Sequence, residues 1–205
     1  MAEMEWPVPI HGVTESIVAT LGPNNLYNFA ALGVQAPDRR GSADSDGSTV
    51  TARTWGRTRT WRNFTERGQG VIQFSMDPVL FVKAAMDIYE QADPVHDSAD
   101  AWVRVTVEKQ ATGDDSGTQW VDWELTPTET TVCQETVPTF NRGYAAVVEA
   151  TVAASRLDVA AYDSEILWDR IDYCGSVTKR CGGPREQKAF DRIRELLPDR
   201  EQDST

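Results

Sequence analysis

Two alternating stretches in the middle of the chain restrict the fold more than any other feature. In WVRVTVEK (102–109), Val103, Val105 and Val107 share a side; in WVDWEL (120–125), Val121, Trp123 and Leu125 do. Successive side chains of a strand point to opposite faces, so each stretch has one apolar and one polar face. The intervening ATGDDSGT is rich in Gly, Asp and Ser and reads as the loop of a long hairpin. An antiparallel sheet with one buried face follows, and strict strand–helix alternation around a parallel sheet fits less well.

The first two-thirds of the chain supply further strands. VTESIVAT (13–20) and YNFAALGV (27–34) flank the turn GPNN and read as a first hairpin. VTARTW (50–55) follows a polar, turn-rich loop at 37–48. In VIQFSM (71–76), Ile72, Phe74 and Met76 face one way and Gln73 and Ser75 the other, which predicts a half-buried strand. Residues 131–136 add a last strand candidate. Two helices are inserted. One covers TWRNFTERG, with Thr60 as N-cap and Gly68 just past the end. The other opens at Asp77-Pro78 and has a largely apolar body that predicts deep packing.

After Pro138 the pattern becomes helical. Ala146, Ala150, Ala153 and Leu157 recur at helical spacing, as do Ala189, Phe190, Ile193, Leu196 and Leu197, and SEILWDRIDY supplies a third segment. The chain divides into a β-rich body, 1–136, and a helical region, 137–205. Its class is α+β, mainly β, and several short strands with inserted helices suit a closed or partly closed barrel.

The formal net charge is -12, and only four of the 20 basic residues are lysines. Abundant Asp with little Lys suggests a halophile's salty cytosol, the alternative being an ordinary acidic protein. Bulk negative charge argues against general nucleic-acid binding, because phosphates are repelled. No stretch approaches the ~20 apolar residues of a membrane span, and MAEMEWPVPIHG lacks the build of a secretory signal, so a cytoplasmic protein is expected. Cys133, Cys174 and Cys181 are spaced like neither a zinc site nor a disulfide framework and read as reduced, mostly buried thiols. His11 and His96 read as surface residues. There is no GxSxG, HExxH, P-loop or GxGxxG motif, so no hydrolytic constellation and neither common nucleotide loop is present.

Against that acidic background stands one basic segment. Arg53, Arg57, Arg59, Arg62 and Arg67 share their window with a single acid, Glu66. Arg57-Thr58-Arg59-Thr60 falls where a strand passes into a helix. A helix N-terminus offers unpaired N–H groups and a positive dipole end, guanidinium forks match phosphate oxygens, and threonines add hydroxyls. These are the parts of a phosphate cradle; the competing reading is arginines paired with acids on a solvated strand face. Trp55 and Trp61 flank the segment as core residues or as stacking platforms for a planar ligand.

RTRTWRNFTERGQGVIQFSMDPVLFVKAA (57–85) resembles the central motif of a family known as domain of unknown function 447. Thr58-Arg59-Thr60-Trp61-Arg62-Asn63, Gly68 and Asp77-Pro78 carry the likeness. TESIVATLGPNNLYNFAALGV is similar to that family's first hairpin and FNRGYAAVVEATVAASRL to its helical C-terminal region. Gln73, where the family pattern has Asn, and a longer 37–48 loop depart from it. The resemblance implies an archaeal-type FMN-binding split barrel related to flavin reductases: a six-stranded antiparallel, Greek-key-like barrel, usually a homodimer with FMN near the subunit interface. It implies that Arg57, Thr58, Arg59, Thr60 and Asn63 hold the FMN phosphate, and that Asn28, Ala30 and Ala31 lie beside the isoalloxazine ring. A flavoprotein, and from it a flavin-dependent oxidoreductase, is the function expected. The alternative is a non-catalytic module that binds another phosphorylated metabolite or short RNA.

Overall fold

The computed structural model describes residues 5–36, 49–137, 139–159 and 161–200; the loop expected at 37–48 lies outside the described residues. The strands are β1 (Val13–Leu21), β2 (Tyr27–Gln35), β3 (Val50–Trp55), β4 (Gln69–Phe74), β5 (Tyr89–Gln91), β6 (Ala101–Asp115) and β7 (Thr118–Val132). The helices are α1 (Arg59–Arg67), α2 (Pro78–Met86), α3 (Arg142–Ala154), α4 (Ser164–Cys181) and α5 (Pro184–Leu196). They form two compact units, Met1–Met76 with Ile88–Val137, and Asp77–Asp87 with Pro138–Thr205. The second unit thus takes α2 out of the middle of the β-rich sequence.

In the first unit the order β1-β4-β6-β7-β3-β2 returns to β1, so six antiparallel strands close into a barrel, with β5 added at the edge of β2. Closure removes most of the exposed edge that an open sheet leaves. The barrel core holds Val18, Leu32, Val34, Ile72, Phe74, Val103, Val105, Val107, Val121, Trp123 and Leu125, the alternating sets of the sequence. Phe64 of α1 enters the same core and meets Trp123 edge-on, with ring centroids 5.4 Å apart. A Cβ at residue 70 would sit 2.9 Å from the Phe64 ring, so Gly70 on β4 gives that ring its room.

The local differences from the sequence reading have physical causes. The N-cap of α1 is Thr58, whose hydroxyl accepts from the Trp61 N–H, so the helix starts two residues earlier than Thr60 implies. Gly68, at φ 62, ends it in the left-handed region as expected. Gln73 is 1% exposed: its Nε2 donates to the Pro94 carbonyl and its Oε1 accepts from the His96 N–H, so the segment after β5 covers the polar face of β4. His96 is accordingly half-buried, and Met76 lies past the strand end, exposed. ATGDDSGT is mostly strand; only Ser116 and Gly117, both at positive φ, turn the chain. Residues 131–136 form no strand of their own, since β7 runs to Val132 and coil follows. Cys174 is buried, but Cys133 and Cys181 are exposed free thiols.

In the second unit, Val147, Ala150, Ala153, Leu167, Ile171, Val177, Phe190 and Ile193 close a core that includes Val82 of α2. Asp77 caps α2 by accepting from the Val79 and Leu80 N–H groups. Asn141 and Asp163 cap α3 and α4 in the same way. Among the described residues, no helix is long and apolar enough to cross a membrane.

Candidate functional site

The barrel has a split. β2 pairs with β3 only at Val34↔Ala52 and Gln35↔Thr51, and with β5 only over Tyr27–Phe29. Between these contacts, the second edge of Ala30–Gly33 has no strand partner among the described residues, although β1 pairs along the whole first edge. Backbone N–H and C=O groups along such an edge are open to a ligand. β3 ends at Trp55 and the chain passes through Gly56, at φ 65, into Arg57 and the start of α1. The first N–H groups of an α-helix have no intrahelical partner. Thr58 takes that of Trp61, which leaves those of Arg59 and Thr60 at the tip.

Several contacts hold α1 in place. Asn63, 3% exposed, donates through Nδ2 to the Thr20 hydroxyl at 2.9 Å and the Thr20 carbonyl at 3.3 Å. Arg67 donates to the carbonyls of Leu21 and Gly22, tying the helix end to the β1–β2 turn. Trp123 Nε1 donates to the Thr54 hydroxyl at 2.9 Å, and Phe64 packs below.

The arginines divide. Arg53 is committed: its Nε and Nη2 donate to both carboxylate oxygens of Asp122, 2.7 and 2.8 Å away, which raises its pKa. Arg59 Nη1 donates to Glu90 Oε1 at 2.6 Å, and the other oxygen of Glu90 accepts from Asn24 Nδ2. Arg57 lies over the Trp61 ring, 5.7 Å from its centroid, and has no carboxylate partner among the described residues. The competing reading of the sequence therefore holds for Arg53 and in part for Arg59. Both acids come from strands far along the chain, so the window around the arginines could not show them. Arg59 has four N–H donors left after one bond to Glu90.

The residues expected around the site separate as follows. Arg57, Thr58 and Arg59 are exposed at the start of α1, Thr60 is buried in its first turn, and Asn63 faces β1. Asn28 is buried, opposite Thr20 on one side and Glu90 on the other. Ala30 packs against the barrel core, so Ala31, its neighbour in the strand, points to the opposite face. Glu90 and Asn24 escaped the sequence reading: VLFVKAAMDIYE (79–90) reads as one helix body, but α2 ends at Met86 and Tyr89–Gln91 form the three-residue β5, too short to show alternation. Beside it, Tyr89, Phe29 and His96 form an aromatic group with centroids 5.1 to 6.4 Å apart. Burial, with a smaller part from Asp97, pushes the Tyr89 phenol above its ordinary pKa, so it stays protonated.

Comparison with known families gives two matches. Residues 14–134 match the model "Protein of unknown function (DUF447) N-terminal domain", and residues 141–195 match "Protein of unknown function (DUF447)". The chain belongs to the DUF447 family. A solved DUF447 structure, described as an FMN-bound protein from Methanosarcina mazei, is 25% identical and superposes with a TM-score of 0.74 over 91% of this chain and 96% of that one. The fold is the flavin-binding split barrel. More distant likenesses include the styrene monooxygenase flavin reductase of Pseudomonas putida (11% identity, TM-score 0.41, 63% of this chain and 95% of that one). A flavoredoxin from Methanosarcina acetivorans is another (10% identity, TM-score 0.42, 67% and 78%).

Proposed function

We propose that this DUF447 protein binds FMN non-covalently, with the phosphate at the start of α1 and the ring along β2. The observation that carries the reading is the split between β2 and β3, with a helix N-terminus at its mouth. The FMN-bound relative, alike over nearly the full length of both chains, supports the choice of ligand. Arg57, Arg59, the Thr58 and Thr60 hydroxyls and the amides at the helix tip hold the phosphate. Arg59 keeps donors for it while bound to Glu90. Asn63 positions the helix through Thr20. The ring lies by Asn28, with Ala30 or Ala31 beside it according to the face it takes.

Bound flavin supplies hydride and electron transfer, and the protein orients it and sets its surroundings. The function is therefore that of a flavin-dependent oxidoreductase that needs no acid–base pair of its own. A second copy of the chain covers the open split, since twofold pairs are the commonest oligomers; sedimentation shows a dimer if so and a monomer if not. The direct test is FMN titration of the wild type and of Arg59→Ala/Thr60→Ala, with circular dichroism as a folding control. Hydrogen bonds to a charged group contribute about 1.5–3 kcal/mol each, so affinity falls about 100-fold or more. Unchanged affinity in a folded double variant refutes the cradle.

A further inference from the structure

The helical unit has a cleft of its own. About 280 Å³ opens between α4 and α5, bordered by Thr178 and Lys179 of the first and by Gln187, Asp191 and Arg194 of the second. Gly175 of α4 allows the two helices to approach: a Cβ there would lie 2.8 Å from the Phe190 ring and 3.3 Å from Arg194 Nη2. Glycine is unfavourable in a helix interior, so close packing is the reason for it here. Phe190 is buried beneath the Arg194 guanidinium, whose carbon lies 4.9 Å from the ring centroid. The ring thus holds that guanidinium at the cleft.

Thr178 is 1% exposed, and its hydroxyl has no hydrogen-bond partner among the described residues. A helical threonine can donate to the carbonyl four residues back, as Thr151 of the same unit does to Val147 at 2.8 Å. A buried polar group without a protein partner points to a ligand or an ordered water that completes it. The charge beside it has the sign an anion needs. Over residues 178–188 the four bases Lys179, Arg180, Arg185 and Lys188 stand with a single acid, Glu186, in a chain of net charge -12. Arg185 is paired with Asp77, and Glu186 accepts from the Gly183 N–H. Lys179, Arg180 and Lys188 have no carboxylate partner among the described residues. Arg194 meets Asp191 only at 3.8 Å, beyond hydrogen-bond distance, and both are largely exposed. The dipole of α4 accounts for cations in its last turn, but not for a hydroxyl left unpaired among them.

We propose that this cleft binds a small polyanion, a metabolite with two or more carboxylate or phosphate groups. Lys179 and Arg194 come from different helices, so each takes one negative group, and a ligand oxygen accepts from the Thr178 hydroxyl. The volume is at the small end of ligand sites, which span roughly 300–1,000 Å³, and suits a compact acid. The site is confined to the helical unit and does not rest on the FMN reading.

The test titrates the full chain with citrate and, separately, with pyrophosphate by calorimetry, at an ionic strength held at about 0.15 M. Lys179 and Arg194 are exposed, so Lys179→Gln and Arg194→Gln leave the core untouched, and each is expected to weaken binding about ten-fold or more. Thr178→Val keeps the shape and removes the unpaired hydroxyl. It should weaken binding about three- to ten-fold while the melting temperature without ligand stays equal or rises, a combination that a purely structural threonine does not give. Asp191→Asn removes the one acid in the lining and should tighten binding by up to about five-fold, a gain that misfolding cannot produce. FMN affinity should be unchanged in all four variants. Preference for citrate identifies a polycarboxylate, and preference for pyrophosphate a phosphorylated ligand. No binding of either probe at ~10 mM, or equal affinities in wild type and in the Lys179, Arg194 and Thr178 variants, overturns the proposal.

Discussion

Replacing Asn63 by Ala tests how α1 is held. The Asn63 amide makes two hydrogen bonds to Thr20, which is 0% exposed, and is itself 3% exposed, so no water replaces it without rearrangement. A neutral hydrogen bond contributes about 0.5–1.5 kcal/mol net, and leaving buried acceptors without a donor costs about 1–3 kcal/mol. The loss is therefore expected at about 2–4 kcal/mol. Urea unfolding followed by tryptophan fluorescence reads it selectively, because Trp6, Trp55, Trp61, Trp102, Trp120 and Trp123 lie in the barrel unit and only Trp168 in the helical one. With a slope of about 1–3 kcal/mol/M, the midpoint drops by about 1–2 M. Thr20→Val gives the second arm of a double-mutant cycle, with coupling of about 1–2 kcal/mol expected between the sites. A loss under about 0.5 kcal/mol, or additive effects of the two substitutions, refutes the reasoning.

Other outcomes follow from the same geometry. Glu90→Gln removes the carboxylate that shares Arg59 with the FMN phosphate; since partly exposed ion pairs contribute ~1 kcal/mol or less, FMN should bind up to about five-fold tighter in a fluorescence titration, and weaker binding contradicts the placement. Burial pushes the Asp77 carboxyl up, but hydrogen bonds from Arg185, Val79 and Leu80 outweigh it and depress the pKa. Its stabilisation is thus present above the ordinary carboxylate pKa of about 3.9 and lost as pH falls through the folded value, so far-ultraviolet circular dichroism should show Asp77→Asn approaching wild-type stability in acid. At Gly143 a Cβ would lie 2.4 Å from the Gly182 Cα, a clash with backbone, so Gly143→Ala should cost about 1–3 kcal/mol in the helical unit by the same signal. No measurable loss there means that the α3 start and α4 end are looser than their packing indicates.

The barrel was legible because its signal is local. The alternation of Val103, Val105 and Val107 and of Val121, Trp123 and Leu125 marks the core face directly, and the cap and proline at 77–78 mark α2. What lay outside the sequence pattern depends on distant partners. Gln73 looked solvent-facing because the segment that covers it, at 94–96, has no strand pattern of its own. The acids that pair with Arg53 and Arg59 were not legible, because Asp122 and Glu90 are brought to them only by the pairing of β3 with β7 and of β2 with β5. Asn63 carries the family motif, and its Nδ2 donates to Thr20, a contact no spacing rule foretells. The resemblance supplied the ligand, while residue types alone supplied only an anion site.

In the proposed site the start of α1 grips the phosphate of a flavin. Riboflavin and FMN differ only by that phosphate, so their affinities for the wild-type chain, taken from quenching of flavin fluorescence, isolate it. FMN is expected to bind tighter by about 100-fold or more, the equivalent of two charge-assisted hydrogen bonds. Equal affinities, or no uptake of either flavin, contradict it.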